Sequence, residues 1–143
     1  MSEAPHELTF RLAYGDCDVL GIAYFATFYP WMERTYTGWL YGHGIRAADL
    51  VPDFGVYTVG LRSSCQYHTP CQVFDELTCR VIADHVGTTS YTLGFDFVRG
   101  AGLVAHGQII YAVRSPDGTK APIPRRIRDV IESLPPSEFA QTD

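Results

Sequence analysis

Lysine is nearly absent from this 143-residue chain: of 11 basic residues only Lys120 is a lysine, and the rest are arginines. With a net charge of −5, the chain lacks the basic stripe of a general nucleic-acid binder, and no nucleic-acid partner is expected. Any anionic ligand has to be met by a local arginine cluster rather than by the overall field. No apolar run approaches the ~20 residues of a membrane span. The opening MSEAPHELTF has neither the basic nor the apolar region of a signal peptide, so a cytoplasmic location is expected. The four cysteines, Cys17, Cys65, Cys71 and Cys79, form no C-x-x-C pair and are read as reduced thiols. The spacing of Cys65, His68 and Cys71 fits no common zinc pattern, so neither a metal nor another cofactor is expected.

Apolar residues make up 46% of the chain and charged residues 19%, which is globular composition. The length predicts one domain over residues 1–143. Repeats, linkers and low-complexity tracts are missing. LTFRLAY (residues 8–14) alternates strictly, as a strand with one solvated face does. From residue 24 to about 41, Phe28, Met32, Thr35, Tyr36 and Trp39 recur at helical spacing. Phe25, Tyr29, Trp31 and Leu40 fill most of the remaining circumference, so the helix is expected to be buried nearly all round. Pro30 belongs in its first turn, with Thr27 as N-cap, and Gly42 and Gly44 supply the stop.

After Val56 the period switches to two. Four strands are expected, connected in hairpin fashion through HTPCQVFD, DHVG and RGAG, followed by a turn and a short basic helix. With no second long helix to cover another face, a doubly wound sheet is excluded. The expected class is α+β, one long buried helix wrapped by a five-stranded antiparallel sheet.

The stretch YGDCDVLGIAYF (14–25) places two carboxylates in a glycine-flanked loop directly before that helix. Either aspartate alone is an ordinary turn former. As a pair beside a helix N-terminus, with its unpaired N–H groups and partial positive charge, they suit acyl transfer: a base or nucleophile, and a hole for a developing oxyanion. The D-x-D phosphatase arrangement of the haloacid dehalogenases is set aside. It needs a fully buried parallel strand before the pair and a later lysine, and Lys120 lies in a turn.

YGDCDVLGIAYFATFYPWME resembles the start of the hot-dog-fold acyl-CoA thioesterases, in particular the 4-hydroxybenzoyl-CoA thioesterase-like branch. The segment from Pro70 to Leu77 and the GTKAPIP turn fall in register with the same pattern. The resemblance implies the hot-dog fold and hydrolysis of an acyl-CoA, aryl-CoA or acyl-carrier-protein thioester. It implies that Asp18 is the catalytic carboxylate, as nucleophile or general base, and that the Phe25 N–H polarises the thioester carbonyl. Asp16 then shapes the loop. A neighbouring branch carries histidine where this chain has Phe25.

Around the site the resemblance places Tyr14, Gly21, Tyr24 and Phe28, and Glu33 near the acyl pocket. Each aromatic has core packing as its alternative, and Glu33 has an ion pair with a neighbouring arginine. The aryl-CoA enzymes grip the nucleotide phosphates with a basic run between two meander strands. Here that tip reads ADHVGTTS (83–90), without arginine. Phosphate contacts are therefore expected from Arg80, Arg99, Lys120, Arg125, Arg126 or Arg128, or else the acyl group arrives on a carrier protein. A homodimer or homotetramer is implied. A hot-dog hydratase or dehydratase and a non-catalytic acyl-thioester-binding protein are the competing readings.

Overall fold

The computed structural model describes residues 6–139. Strand β1 (Glu7–Arg11) leads through two short 3₁₀ turns to helix α1 (Phe28–Gly42), then helix α2 (Leu50–Phe54) and strand β2 (Tyr57–Tyr67). Strands β3 (Glu76–Val86), β4 (Ser90–Arg99) and β5 (Gly102–Arg114) follow, and helix α3 (Arg125–Glu132) comes last. All pairings are antiparallel, in one five-stranded sheet of order β1-β3-β4-β5-β2. The expected class is what the chain adopts.

Helix α1 lies on one face of the sheet. Its Phe28, Met32, Tyr36 and Trp39 pack into a single core with Leu77, Val81, Leu93, Phe95, Phe97 and Tyr111. The fit is tight at Gly107 of β5, where an added Cβ would lie 2.0 Å from the Met32 methyl. Pro30 is the third residue of α1, where its missing N–H costs nothing.

Several expectations are corrected. Strand β1 ends at Arg11. Leu12 is still buried, but Tyr14 enters the 3₁₀ turn Tyr14–Asp16 and is 75% exposed. Thr27 precedes α1 without capping it: its backbone is already helical, and its hydroxyl donates to the Asp16 carbonyl at 2.8 Å. The helix is not buried all round, since Glu33, Arg34 and Tyr41 are exposed. Strand β2 does not pair with β3. It lies at the far edge against β5, with a register shift between Gly60 and Arg62. Residues 68–75 therefore cross three interstrand steps, roughly 15 Å, instead of making a hairpin. An alternating pattern identifies strands but not their neighbours, and this crossing segment becomes a wall of the site.

Candidate active site

The loop ahead of α1 is a miniature ladder. Cys17 bridges Ala23, Ile22 bridges Gln72, and the Ala23 N–H donates to the Cys71 carbonyl at 2.7 Å. Within it the two aspartates do different things. Asp16 Oδ2 accepts the Ala13 N–H at 2.8 Å, and its carbonyl accepts both the Tyr24 N–H at 2.8 Å and the Thr27 hydroxyl. It fastens the 3₁₀ turn to the helix entrance. The carboxylate of Asp18 is exposed. Its Oδ1 accepts the Leu20 N–H at 2.8 Å, and its carbonyl accepts the Gly21 N–H at 2.9 Å. Gly21 has φ 76°, a conformation costly for any side chain that carries a Cβ.

Asp18 lines a cleft of about 320 Å³ with Ile22, Ala23, Phe25 and Phe28 on one side and Tyr67 through Cys71 on the other. Phe25 opens the short 3₁₀ turn Phe25–Thr27, and among the described residues its N–H has no hydrogen-bond partner. Its ring is 58% exposed and its carbonyl accepts the Tyr67 hydroxyl at 2.7 Å. Phe28 is buried between the rings of Tyr67 and Phe97. A carboxylate, an unspent N–H and an apolar wall thus share one concavity.

The thiols beside the cleft are not activated. Burial, followed by the Asp16 and Asp18 carboxylates, pushes Cys17 up. Burial also pushes Cys71 up, against a weaker opposing pull from Arg99. Both stay protonated at neutral pH and are poor nucleophiles. Burial likewise raises the Tyr67 phenol, with the Cys65 thiol and Tyr29 adding to it.

The remaining residues anticipated from sequence are scattered. Tyr14 stacks edge-on against Phe74 outside the cleft, and Tyr24 lies against Phe25 at a ring separation of 4.4 Å. Glu33 lies on a second concavity of about 370 Å³ with Tyr29, Arg62 and Ser63, and accepts the Tyr111 hydroxyl at 3.2 Å. Among the described residues Glu33 forms no ion pair, so the arginine partnership is not found.

Among the described residues Arg99 is the one arginine or lysine that reaches the cleft rim, donating to the Pro70 carbonyl at 3.4 Å and the Asp75 carboxylate at 2.9 Å. Arg80 is held by Glu7 and Glu138. Lys120 is in an exposed turn. Arg125 faces Asp129, Arg128 pairs with Glu132, and Arg126 donates to the His43 carbonyl at the far end of α1. The 15 residues of α1 put that end ~22 Å from the Asp18 end. The chain therefore does not bring Arg80, Lys120, Arg125, Arg126 or Arg128 to its own cleft.

Tyr67, His68, Thr69 and Cys71 were missed as cleft residues. HTPC has the composition of a hairpin turn, which hides that this segment crosses the sheet and walls the cleft.

This combination of one long helix on a five-stranded antiparallel sheet, with a carboxylate loop at the helix entrance, defines a hot-dog fold. The chain belongs to the thioesterase superfamily, whose family model matches residues 20–106, and it is a thioester hydrolase. The matched region begins two residues after Asp18. Among solved structures, the 1,4-dihydroxy-2-naphthoyl-CoA thioesterase of Synechocystis superposes with a TM-score of 0.81 at 17% identity, covering 90% of this chain and 96% of that one. The gentisyl-coenzyme A thioesterase BH1999 gives 0.74 at 23% identity, covering 85% and 98%. The dynemicin thioesterase gives 0.79 at 20% identity, covering 90% and 96%.

Proposed function

We propose that the protein hydrolyses an acyl-CoA thioester, with Asp18 as nucleophile or general base and the Phe25 N–H as an oxyanion donor. The observation that carries this is the cleft lined by both Asp18 and Phe25, with the Phe25 N–H unspent. A carbonyl polarised by that N–H and attacked from the Asp18 side gains stabilisation as charge develops on oxygen. The phenyl and tyrosyl wall of Phe28 and Tyr67 suits an aryl or other apolar acyl group, in keeping with the aryl-CoA names of two of the structural relatives.

The charge around the cleft bears on the carrier. Asp16, Asp18 and Asp75 outnumber the single Arg99, which is already paired. A full nucleotide is then gripped through a second copy of the chain, or the acyl group arrives on a carrier protein. A second copy has a place to bind. Strand β2 is an exposed edge of 11 residues carrying Val59, Leu61 and Tyr67 at its surface. Such an edge is a template for pairing, which supports a homodimer or homotetramer. Among the described residues no helix is long and apolar enough to cross a membrane. Four free thiols suit the reducing cytoplasm.

The test is thiol release from a panel of aryl-, short- and long-chain acyl-CoAs, with an acyl-carrier substrate in parallel, for wild type and Asp18→Asn. Hydrolysis of at least one substrate, abolished in Asp18→Asn, is expected. A competing hydratase reading has one observation in its favour, that His68 lines the same cleft. Addition of water to an enoyl thioester, with the thioester left intact, would establish it instead.

A further inference from the structure

Behind the sheet, away from α1, lies a polar cluster that the proposed chemistry does not use. Gly107 faces Met32 on the helix side, so His106 projects to the back, opposite Asp96 of β4 in register. Asp96 is only 2% exposed. Its Oδ1 accepts from His106 Nδ1 at 2.7 Å and its Oδ2 accepts the Ser137 hydroxyl at 2.6 Å. Ser137 belongs to the segment after α3, and the Phe139 N–H donates back to the Ser137 oxygen at 3.1 Å. Next to it Glu138 pairs with Arg80, which also holds Glu7 of β1. His106 Nε2 is buried and has no hydrogen-bond partner among the described residues.

A buried carboxylate is costly unless paired, and a buried orphan nitrogen calls for an explanation. With Nδ1 tied to Asp96 and Nε2 sealed from solvent, the ring gains or loses its second proton only when its surroundings open. The position matters as well. His106 stands opposite Gln66 of β2, and two residues before it the Val104 carbonyl accepts the N–H groups of both His68 and Thr69. Those residues are the cleft wall.

We propose that Asp96, His106 and Ser137 form a proton-linked clamp that fastens the segment around Ser137 to the back of the sheet and holds the cleft wall, making His106 a positioning residue. The second half rests on the thioesterase reading; the first does not.

Asp96 of β4 and Asp84 of β3 act on the ring directly, while His6, Arg80 of β3 and Glu138 of the tail line the cavity that Asp96 and Ser137 share, with Glu7 held by Arg80. The ring's hydrogen bond to Asp96, the largest influence, raises the His106 pKa above the ordinary 6.5 against the opposing effect of burial, with the charges of Asp96 and Asp84 adding to the rise. A raised folded-state pKa stabilises fully below the unfolded value, and that contribution is lost as pH rises through the folded value. The clamp is therefore tight in mild acid and relaxes in mild alkali.

Three measurements on the full chain test this. Imidazole NMR should show His106 titrating above the ordinary value. The excess urea midpoint of wild type over His106→Gln should be largest near about pH 6 and shrink as pH rises. Ser137→Ala should speed amide exchange at Phe139 while sparing the strands. A His106 titration at or below the ordinary value, or a midpoint difference constant with pH, overturns the clamp. For the positioning role, the kcat/KM ratio of wild type to His106→Gln should be severalfold in mild acid and approach one in mild alkali. A ratio independent of pH overturns it. If wild type hydrolyses no thioester, the functional reading fails while NMR and urea still decide the clamp. If His106→Gln does not fold, wild-type NMR and Ser137→Ala decide it.

Discussion

The Tyr67 hydroxyl donates to the Phe25 carbonyl at 2.7 Å, joining the end of edge strand β2 to the entrance of α1. Together with the Ala23 N–H to Cys71 carbonyl bond, it ties the two walls of the cleft to each other, and Tyr67 also packs edge-on against Phe28. Tyr67→Phe keeps the ring and removes the tie. At a partly exposed site this should cost about 0.5–1.5 kcal/mol, read as a lower urea midpoint. Turnover should fall by more than the stability loss explains, because the helix entrance is freed. A variant matching wild type in both would show that the bond positions nothing.

The two aspartates should separate cleanly in mutants. Asp16 uses one carboxylate oxygen and its carbonyl to fasten the loop, so Asp16→Ala should destabilise by about 1 kcal/mol, as loss of a cap does. Asp18 makes one local bond and otherwise faces the cleft, so Asp18→Asn should fold normally and lose thioester hydrolysis. A dead Asp16→Asn beside an active Asp18→Asn would reverse the assignment.

At Gly107 the Met32 side chain of the helix lies directly over the sheet backbone. Gly107→Ala sets a Cβ 2.0 Å from the Met32 methyl, and the fully buried Met32 has little room to retreat. Overpacking of this kind costs about 1–3 kcal/mol. Adding Met32→Ala to Gly107→Ala should cost less than the sum of the two single changes, since the clash vanishes with the thioether. Strict additivity of the two by urea titration would mean the contact is relieved some other way.

Much of this architecture was legible because each element carries its own period. The helix was readable from Phe28, Met32, Tyr36 and Trp39, and Pro30 marked its first turn correctly. The division of labour between Asp16 and Asp18 was not readable from spacing, since both are turn formers, and the functional choice came from resemblance. Strand partners were illegible for a physical reason. Alternation in SSCQYHT states which residues share a face, while the neighbour of β2 is fixed by a segment whose Pro70 and Thr69 look like any turn. Missing that crossing also hid His68 and Cys71. The Asp96–His106 pair was invisible too, because its two residues lie in different strands whose register no local pattern reveals.

Asp75 supplies a pH test at the cleft rim. The Gln72 N–H, and after it Arg99, holds its carboxyl below the ordinary range. A depressed folded-state pKa stabilises above the unfolded value of about 3.9 and is lost as pH falls through the folded value. The excess urea midpoint of wild type over Asp75→Asn should therefore be level above about pH 5 and shrink in stronger acid. A difference that grows on acidification would mean that the carboxylate is not stabilised in the folded chain.

At Phe25 the backbone rather than the ring should matter. The ring is largely exposed, so Phe25→Leu should retain most activity. Phe25→Pro deletes the N–H along with the ring, Phe25→Leu serving as the control for the ring, and the local structure accommodates proline. Tyr24 before it is extended, at φ −66° and ψ 138°, as a residue preceding proline must be. Position 25 opens a helical turn, where a missing N–H costs no hydrogen bond, and the carbonyl that receives Tyr67 is untouched. Circular dichroism and urea midpoint should stay near wild type. If the N–H is an oxyanion donor, kcat should fall by ~10²–10³ in this folded protein. Phe25→His adds an imidazole that titrates near neutrality, so any change it brings should appear as a new inflection in the pH–rate profile. If the ring were merely a plug for the cleft, Phe25→Leu and Phe25→Pro would lose activity only in step with stability. A folded Phe25→Pro protein with near-wild-type turnover would decide for the plug and move the oxyanion donor elsewhere.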